Sequence, residues 1–301
     1  MDFDQFEGHN RAYCGFTPFK KNNKWGFVNK NGTIIKPSFD AYDEFEEKTG
    51  LARVQYNGKW GLINTKGDYV IKPLYEDIKK LYINGFVGAK INNKWGLVDN
   101  NDNFIIQPQY EDISYNESTT IIAVKNNNKW GFVDIKGKMI MNTIFDDLKC
   151  YGKSGYYIVK QNEMWGVVDT IGKVVVQPKF KSINSFNDDM MAEITNSNRK
   201  KGFIDTKGNY VIEPLYDDIW NFDKRDVTIV QQNDLYGLIK KNGVLVVKPI
   251  FEEVYRSLYN NDLIFVKQNN KWGIIDYKGN WIIRPNYERF NNYDYEDTWR
   301  Y

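Results

Sequence analysis

The sequence is poor in the residues that build catalytic and metal centres: among 301 residues there is one histidine, His9, and two cysteines, Cys14 and Cys150. A single histidine excludes His-rich metal sites and any repeated Ser-His-Asp arrangement. His9 and Cys14 form one weak ligand or nucleophile pair, and a flexible terminal arm is the simpler account of it. Two distant cysteines make neither a CxxC motif nor a disulfide framework, which is compatible with a reducing compartment. No G-x-x-x-x-G-K-[ST] or G-x-G-x-x-G string offers a phosphate loop. No apolar run reaches the roughly 18 residues needed to span a bilayer, and the opening MDFDQFEGHN has no secretory core. Charge is nearly balanced, with 41 Lys and Arg against 39 Asp and Glu. A net of +2 argues against a strong long-range field, so neither nucleic acid nor a membrane is the expected partner. The expected location is cytoplasmic.

What the chain does have is repetition. Trp25-Gly26, Trp60-Gly61, Trp95-Gly96, Trp130-Gly131, Trp165-Gly166, Lys201-Gly202, Tyr236-Gly237 and Trp272-Gly273 follow one another at intervals of 35 or 36 residues. Such constancy means one small structural unit copied eight times. The second residue after each Gly is Val or Ile, as in Val98 and Ile204, which marks a buried strand. Six residues after the motif Gly comes another Gly in seven units, for example Gly32 and Gly137, placed where a hairpin needs positive φ. In the third unit Asp102 stands there instead, and Asn101 or Asn103 is expected to take the left-handed conformation.

Proline then recurs in seven units, with Thr143 in the fourth, and is expected to end or edge a strand. Two residues later each unit has Phe or Tyr, from Phe39 and Tyr75 to Tyr287, read as packing between neighbouring repeats. Asp or Glu follows in seven units, with Lys181 the exception. Acids repeated in every unit are read as turn caps and hydrogen-bond partners, because an active site needs asymmetry. The Asp or Asn four residues after the Trp, such as Asp99 and Asp134, is read as a turn residue. Lys24, Lys59, Lys94, Lys129, Lys200 and Lys271 immediately precede the motif, and their stems or ammonium groups are expected over the Trp ring.

The pattern K-W-G-[FL]-[VI]-[DN]-x-x-G-x-x-[VI]-x-P-x-[FY]-[DE] resembles the bacterial WG-repeat family, also described as KWG repeats. The resemblance implies a β-stranded repeat module and carries no single activity. The expected fold is therefore all-β: eight tandem β-meander repeats of about 35 residues, in a β-propeller-like ring by preference and an open β-solenoid as the alternative. Residues 1–11 form an N-terminal arm, 12–290 the eight repeats as one domain, and 291–301 an aromatic, acidic tail.

Twelve motif residues, Trp25, Gly26, Trp60, Gly61, Trp95, Gly96, Trp130, Gly131, Trp165, Gly166, Trp272 and Gly273, are structural in this reading. Function is expected where the repeat lapses and in the loops, including 79–86, 114–120 and 184–190. The tail residues Tyr293, Tyr295, Trp299 and Tyr301 are a candidate partner-binding segment. The expectation is a non-enzymatic scaffold without cofactor that binds a so far unidentified protein. A carbohydrate-binding module that takes a glycan is the alternative, and an acid-dependent hydrolase the third reading.

Overall fold

A computed structural model describes residues 5–6, 13–83, 86–116, 118–150, 155–222, 225–256 and 263–289. His9 and the tail with Tyr293, Tyr295, Trp299 and Tyr301 lie outside them. The chain is all-β; the described residues form eight antiparallel four-stranded sheets in tandem, none of them closed on itself. No helix among the described residues is long and apolar enough to cross a membrane.

Each sheet is a meander whose strands follow chain order. In sheet 2 the four strands are Ala41–Tyr42, Leu51–Tyr56, Lys59–Asn64 and Tyr69–Tyr75. The fourth strand of one sheet passes directly to the first strand of the next, so the acid after the aromatic sits at the joint between sheets. Sheet 1 takes its first strand, Gln5–Phe6, from the N-terminal segment, where it pairs with Phe16–Lys21. Part of the expected arm is thus a strand of the repeat.

Backbone contacts gather the chain into two compact units, residues 1–155 with 170–172, and residues 156–169 with 173–301. In unit 1 the sheets stack face to face, and strand alternation shows why both positions after Trp-Gly are apolar. Leu62 points toward sheet 3, packing with Ile78, Val87 and Val98, whereas the next residue, Ile63, points back to Phe27 and Ile35 of sheet 1. In unit 2 the same division places Phe203 against Val230 and Ile239, and Ile204 against Val167 and Val176. Each such side chain, fully buried, contributes about 1.5–3 kcal/mol.

The aromatic after Pro joins these layers. Tyr75 meets Phe104 of the next sheet edge-on at 6.3 Å, and in unit 2 Phe251 meets Trp281 at 5.8 Å. Of the two places expected for proline, it takes the edge and not the end of a strand; the fourth strand, at the edge of its sheet, runs on to the aromatic. Trp60 pairs with Tyr75 but Leu62 with Ile71, so Lys72-Pro73-Leu74 bulge out of register. A bulge on an edge strand needs no N–H from Pro73, which is why proline is tolerated there.

The motif glycine has a cause that the sequence does not show. A Cβ on Gly61 would stand 2.6 Å from the Ile71 carbonyl oxygen and 2.8 Å from Pro73 N. The two backbones touch at the bulge, and only glycine fits. The turn glycines behave as expected, with φ between 80° and 88° in all seven. In the third unit it is Asp102 itself, at φ 61°, and neither asparagine beside it, that takes the left-handed conformation. Its position, and not its residue type, dictates the conformation of that turn.

Candidate functional site

Meander topology gives every sheet two ends. At the connection end lie the hairpin turn between the second and third strands and the joint to the next sheet. At the loop end lie the link between the first and second strands and the glycine turn between the third and fourth. The two ends differ in chemistry.

At the connection end the repeated carboxylates are taken up by the turns. Asn92 and Asn93 form a two-residue turn at φ 50° and 59°, the geometry of a twisted hairpin. Their N–H groups donate to Glu76 Oε1 and Oε2 at 3.0 and 2.9 Å. Glu111 accepts from Asn127 and Asn128 in the same way, and in unit 2 Asp217 accepts from Asn233 at 2.7 Å. Each carboxylate therefore caps the turn of the following sheet. The Asn93 N–H is the main reason that the Glu76 carboxyl lies below its ordinary range.

The lysines divide differently from expectation. Lys24, Lys129 and Lys200 pair with Asp40, Asp146 and Asp217, and Lys271 reaches Glu288 at 3.2 Å. Five lysines over the rings are instead Lys20, Lys90, Lys125, Lys160 and Lys267, at 5.2 to 5.8 Å from the Trp centroids, while Arg53 lies over Trp60 at 4.5 Å and Lys79 over Trp95 at 4.7 Å. The reason is register. A residue adjacent to Trp points to the opposite face, whereas the residue five earlier is its cross-strand partner, as in Lys90 with Trp95.

Of the repeat's lapses, only the sixth alters the backbone. Without Pro, Thr143 preserves the register of Trp130 with Phe145, and Tyr236 in the Trp position still pairs with Phe251. In sheet 6 the strands Met191–Thr195 and Lys201–Asp205 are joined through residues 196–200, a longer turn. Asn196 Oδ1 caps it from within, accepting from Asn198 N at 3.0 Å and Lys200 N at 2.9 Å. No carboxylate from the preceding joint is required, and Lys181 stands where one would be. The Trp position holds Lys201, whose Nζ lies 2.7 Å from Asp218 and 3.7 Å from Glu193. Burial pushes the Glu193 carboxyl up, with Lys201 pulling the other way. Burial also opposes the Lys201 charge, but the hydrogen bond to Asp218 and the field of Glu193 prevail and its pKa is raised.

The loop end varies from sheet to sheet. Asp99 behaves as the expected turn residue, its Oδ1 accepting from Asn101 N at 2.8 Å and Asn103 N at 2.9 Å. In the link that includes residues 114–116 and 118–120, Asn116 and Thr119 are buried and Tyr115 Oη donates to the Thr119 carbonyl at 2.8 Å. The Cys14 thiol donates to the Glu46 carbonyl at 3.2 Å, a structural contact.

In unit 2 the loop end carries a cluster that sequence reasoning missed. Arg256 lies over Trp220 at 5.5 Å and donates to Thr228 Oγ1 at 2.8 Å. At the other end of the same link, Arg225 lies over Tyr277 at 4.1 Å. Lys241 Nζ joins this link to residues 184–190, lying 2.7 Å from Asp189 and 3.6 Å from Asp226. Trp220, Arg225, Arg256 and Tyr277 are all half-buried. Trp220 lies one residue beyond the repeating Asp-Asp-Ile string, and it is the one Trp there; that was the available signal.

The model of the WG-containing repeat matches eight consecutive segments: 25–60, 60–95, 95–130, 130–165, 165–196, 202–236, 236–272 and 272–297. Each frame begins at the third strand of one sheet, and the first seven reach into the next. Among solved structures, a eukaryotic initiation factor shares 9% identity over 90% of this chain and 85% of its own, at TM-score 0.44. Hsv2 of Kluyveromyces lactis shares 10% over 78% and 92% at 0.36, and BamB of Moraxella catarrhalis 10% over 89% and 94% at 0.35. Likenesses this distant assign no function. No curated protein matches the sequence.

Proposed function

The chain belongs to the family of WG-containing repeats, and on that premise we propose that it is a non-enzymatic scaffold whose loop end in unit 2 holds a protein partner. The observation that carries this reading is the Trp220–Arg256 and Arg225–Tyr277 pair of contacts on one link. Trp, Tyr and Arg dominate the energetics of protein interfaces. Here they are held in place by stacking, by Thr228 and by the Lys241 bridge, so little side-chain freedom remains to be lost on binding. The repeated carboxylates support a non-catalytic reading, because they are occupied as turn caps and ion-pair partners.

The test is a photo-crosslinking residue at Asn221, exposed on this link, with the same residue at Asn92 on the connection end as control. The expected result is one discrete protein adduct from position 221, absent from position 92, and abolished by Trp220→Ala with Arg225→Ala while melting is unchanged. An adduct that survives those substitutions sinks the assignment of this site. Turnover of a substrate by the purified chain sinks the non-enzymatic reading.

A further inference from the structure

A net charge of +2 conceals how the repeat sorts its charges. In unit 1 the lysines five before Trp (Lys20, Lys90 and Lys125), the lysine just before each Trp and the two lysines just before Pro (Lys36 and Lys72) all fall at the connection end. The carboxylates there are few and engaged. Asp40 and Asp146 pair with Lys24 and Lys129, while Glu76 and Glu111 accept turn N–H groups. Asp77 and Asp112, one residue further along, are matched by Arg53 and Lys79, and Asp147 caps the Leu148 N–H. Lys21, Lys36, Lys59, Lys72 and Lys94 have no ion-pair partner among the described residues. The loop end of the same unit carries the opposite excess, with Asp43, Glu44, Glu46 and Glu47 on a single link.

Two further features sit among those lysines. The four hairpin turns, 22–23, 57–58, 92–93 and 127–128, are all two residues long, so no turn stands above its neighbours. Between them, large side chains face solvent: Tyr56 is 41% exposed, Leu74 55% and Ile144 42%. Leu74 and Ile144 belong to the bulges of their fourth strands.

We propose that the connection end of unit 1 is a peripheral docking face for an anionic lipid bilayer. Lysine ammonium groups near such a surface gain from its negative potential, aliphatic side chains enter the headgroup boundary, and tyrosine favours that interface. A nucleic acid would use the lysines but leave Leu74 and Ile144 without a role. The unpaired cations named above are all lysines, which act as point charges, so the attraction is to surface charge and falls with salt.

The experiment is co-sedimentation of the full chain with vesicles of phosphatidylcholine alone and with about 30% phosphatidylserine added. Binding is expected only to the anionic vesicles, and lost when salt rises from about 0.1 M to about 1 M. The triple variant Lys36→Glu, Lys59→Glu, Lys72→Glu should bind at least tenfold more weakly, and Leu74→Ser with Ile144→Ser several-fold more weakly. Lys66→Glu with Lys136→Glu at the loop end should bind as the parent does. Melting curves identify any variant that fails to fold, in which case the single substitutions replace it. No partition into anionic vesicles at low salt overturns the proposal. Equal loss from the loop-end pair does so too, as does tighter binding to single-stranded RNA unaffected by Leu74→Ser.

Discussion

Sheets 2 and 6 place opposite chemistry on the same three backbone positions. In sheet 2, Arg53 on the second strand lies over Trp60 at 4.5 Å and reaches Asp77 of the next sheet at 2.7 Å. In sheet 6 the corresponding residues are Glu193, Lys201 and Asp218, with the cation moved into the Trp position and still 2.7 Å from the Asp. The registers agree, since Arg53 pairs with Leu62 and Glu193 with Phe203. What persists is a cation facing the next sheet's first-strand carboxylate; the ring is one way to cover it. The glycine persists as well.

That persistence gives the largest expected effect. Cβ atoms on Gly61 and Gly202 would stand 2.6 and 2.5 Å from the carbonyl oxygens of Ile71 and Ile212. Neither backbone can retreat without breaking the bulge. Gly61→Ala and Gly202→Ala should each cost about 3 kcal/mol in denaturant unfolding. A mild effect in sheet 6 alone would show that its backbone differs there, and the comparison would fail.

Exchange of the two cells comes next in size. Glu193→Arg alone sets a second cation beside Lys201, and Lys201→Trp alone leaves Glu193 without its partner, each at a cost of about 1–2 kcal/mol for half-buried groups. The double variant rebuilds the Arg53–Trp60–Asp77 arrangement in sheet 6, with Asp218 as the third member. It should return to within about 0.5 kcal/mol of the parent, a coupling read from a double-mutant cycle. Simple additivity would mean that the two cells are not equivalent.

The carboxylates of the two regions should also respond to acid in opposite directions. Glu193, raised by burial, contributes stability that is present below the ordinary value of 4.5 and lost as pH rises through its folded value. Asp40, lowered chiefly by the hydrogen bond from Lys24, contributes stability that is present above 3.8 and lost as pH falls. Glu193→Gln should therefore gain stability relative to the parent at pH 7 and lose that gain below about pH 4.5, whereas Asp40→Asn loses stability at pH 7 and approaches the parent below about pH 3.8. Thermal melts across that range read both signs, and the same sign for both would refute the assignment.

How much of this could be read from the sequence depends on the range of each interaction. The strands, the glycine turns, the Asx caps at Asp99 and the aromatic glue at Tyr75 follow from local periodicity and turn chemistry. One of the two cations over Trp95 was also within reach, because a two-residue turn at Asn92-Asn93 pairs Lys90 with it by counting alone. Lys181 is another matter. It looks like an isolated lapse, yet it belongs with the turn at 196–200 and with Lys201, because the missing acid would have capped a two-residue turn that sheet 6 does not have. Asp218 lies 17 residues beyond Lys201 and on another sheet. A single repeat does not reveal that its acid acts on the next repeat, nor that Trp220 meets Arg256 across a sheet boundary.

The smallest expected effect separates the two kinds of lysine that the repeat uses. Lys125 Nζ lies 5.8 Å from the Trp130 centroid, and a cation over an exposed ring is worth about 0.5–1 kcal/mol. Lys125→Met keeps an apolar stem over the indole, so the loss should fall at or below about 0.5 kcal/mol. Lys129→Met removes the pair with Asp146, whose partners are 44% and 33% exposed, and an exposed pair contributes about 0–1 kcal/mol. The two variants are therefore hard to tell apart at low salt. Salt separates them: the exposed ion pair is screened, so the cost of Lys129→Met should shrink toward zero at about 1 M, where the Debye length is about 3 Å. The contact over the ring, at shorter range and partly shielded by the indole, should lose less. If both costs disappear together, the lysines over the tryptophans act as exposed charges, and the ring serves only as apolar cover between sheets.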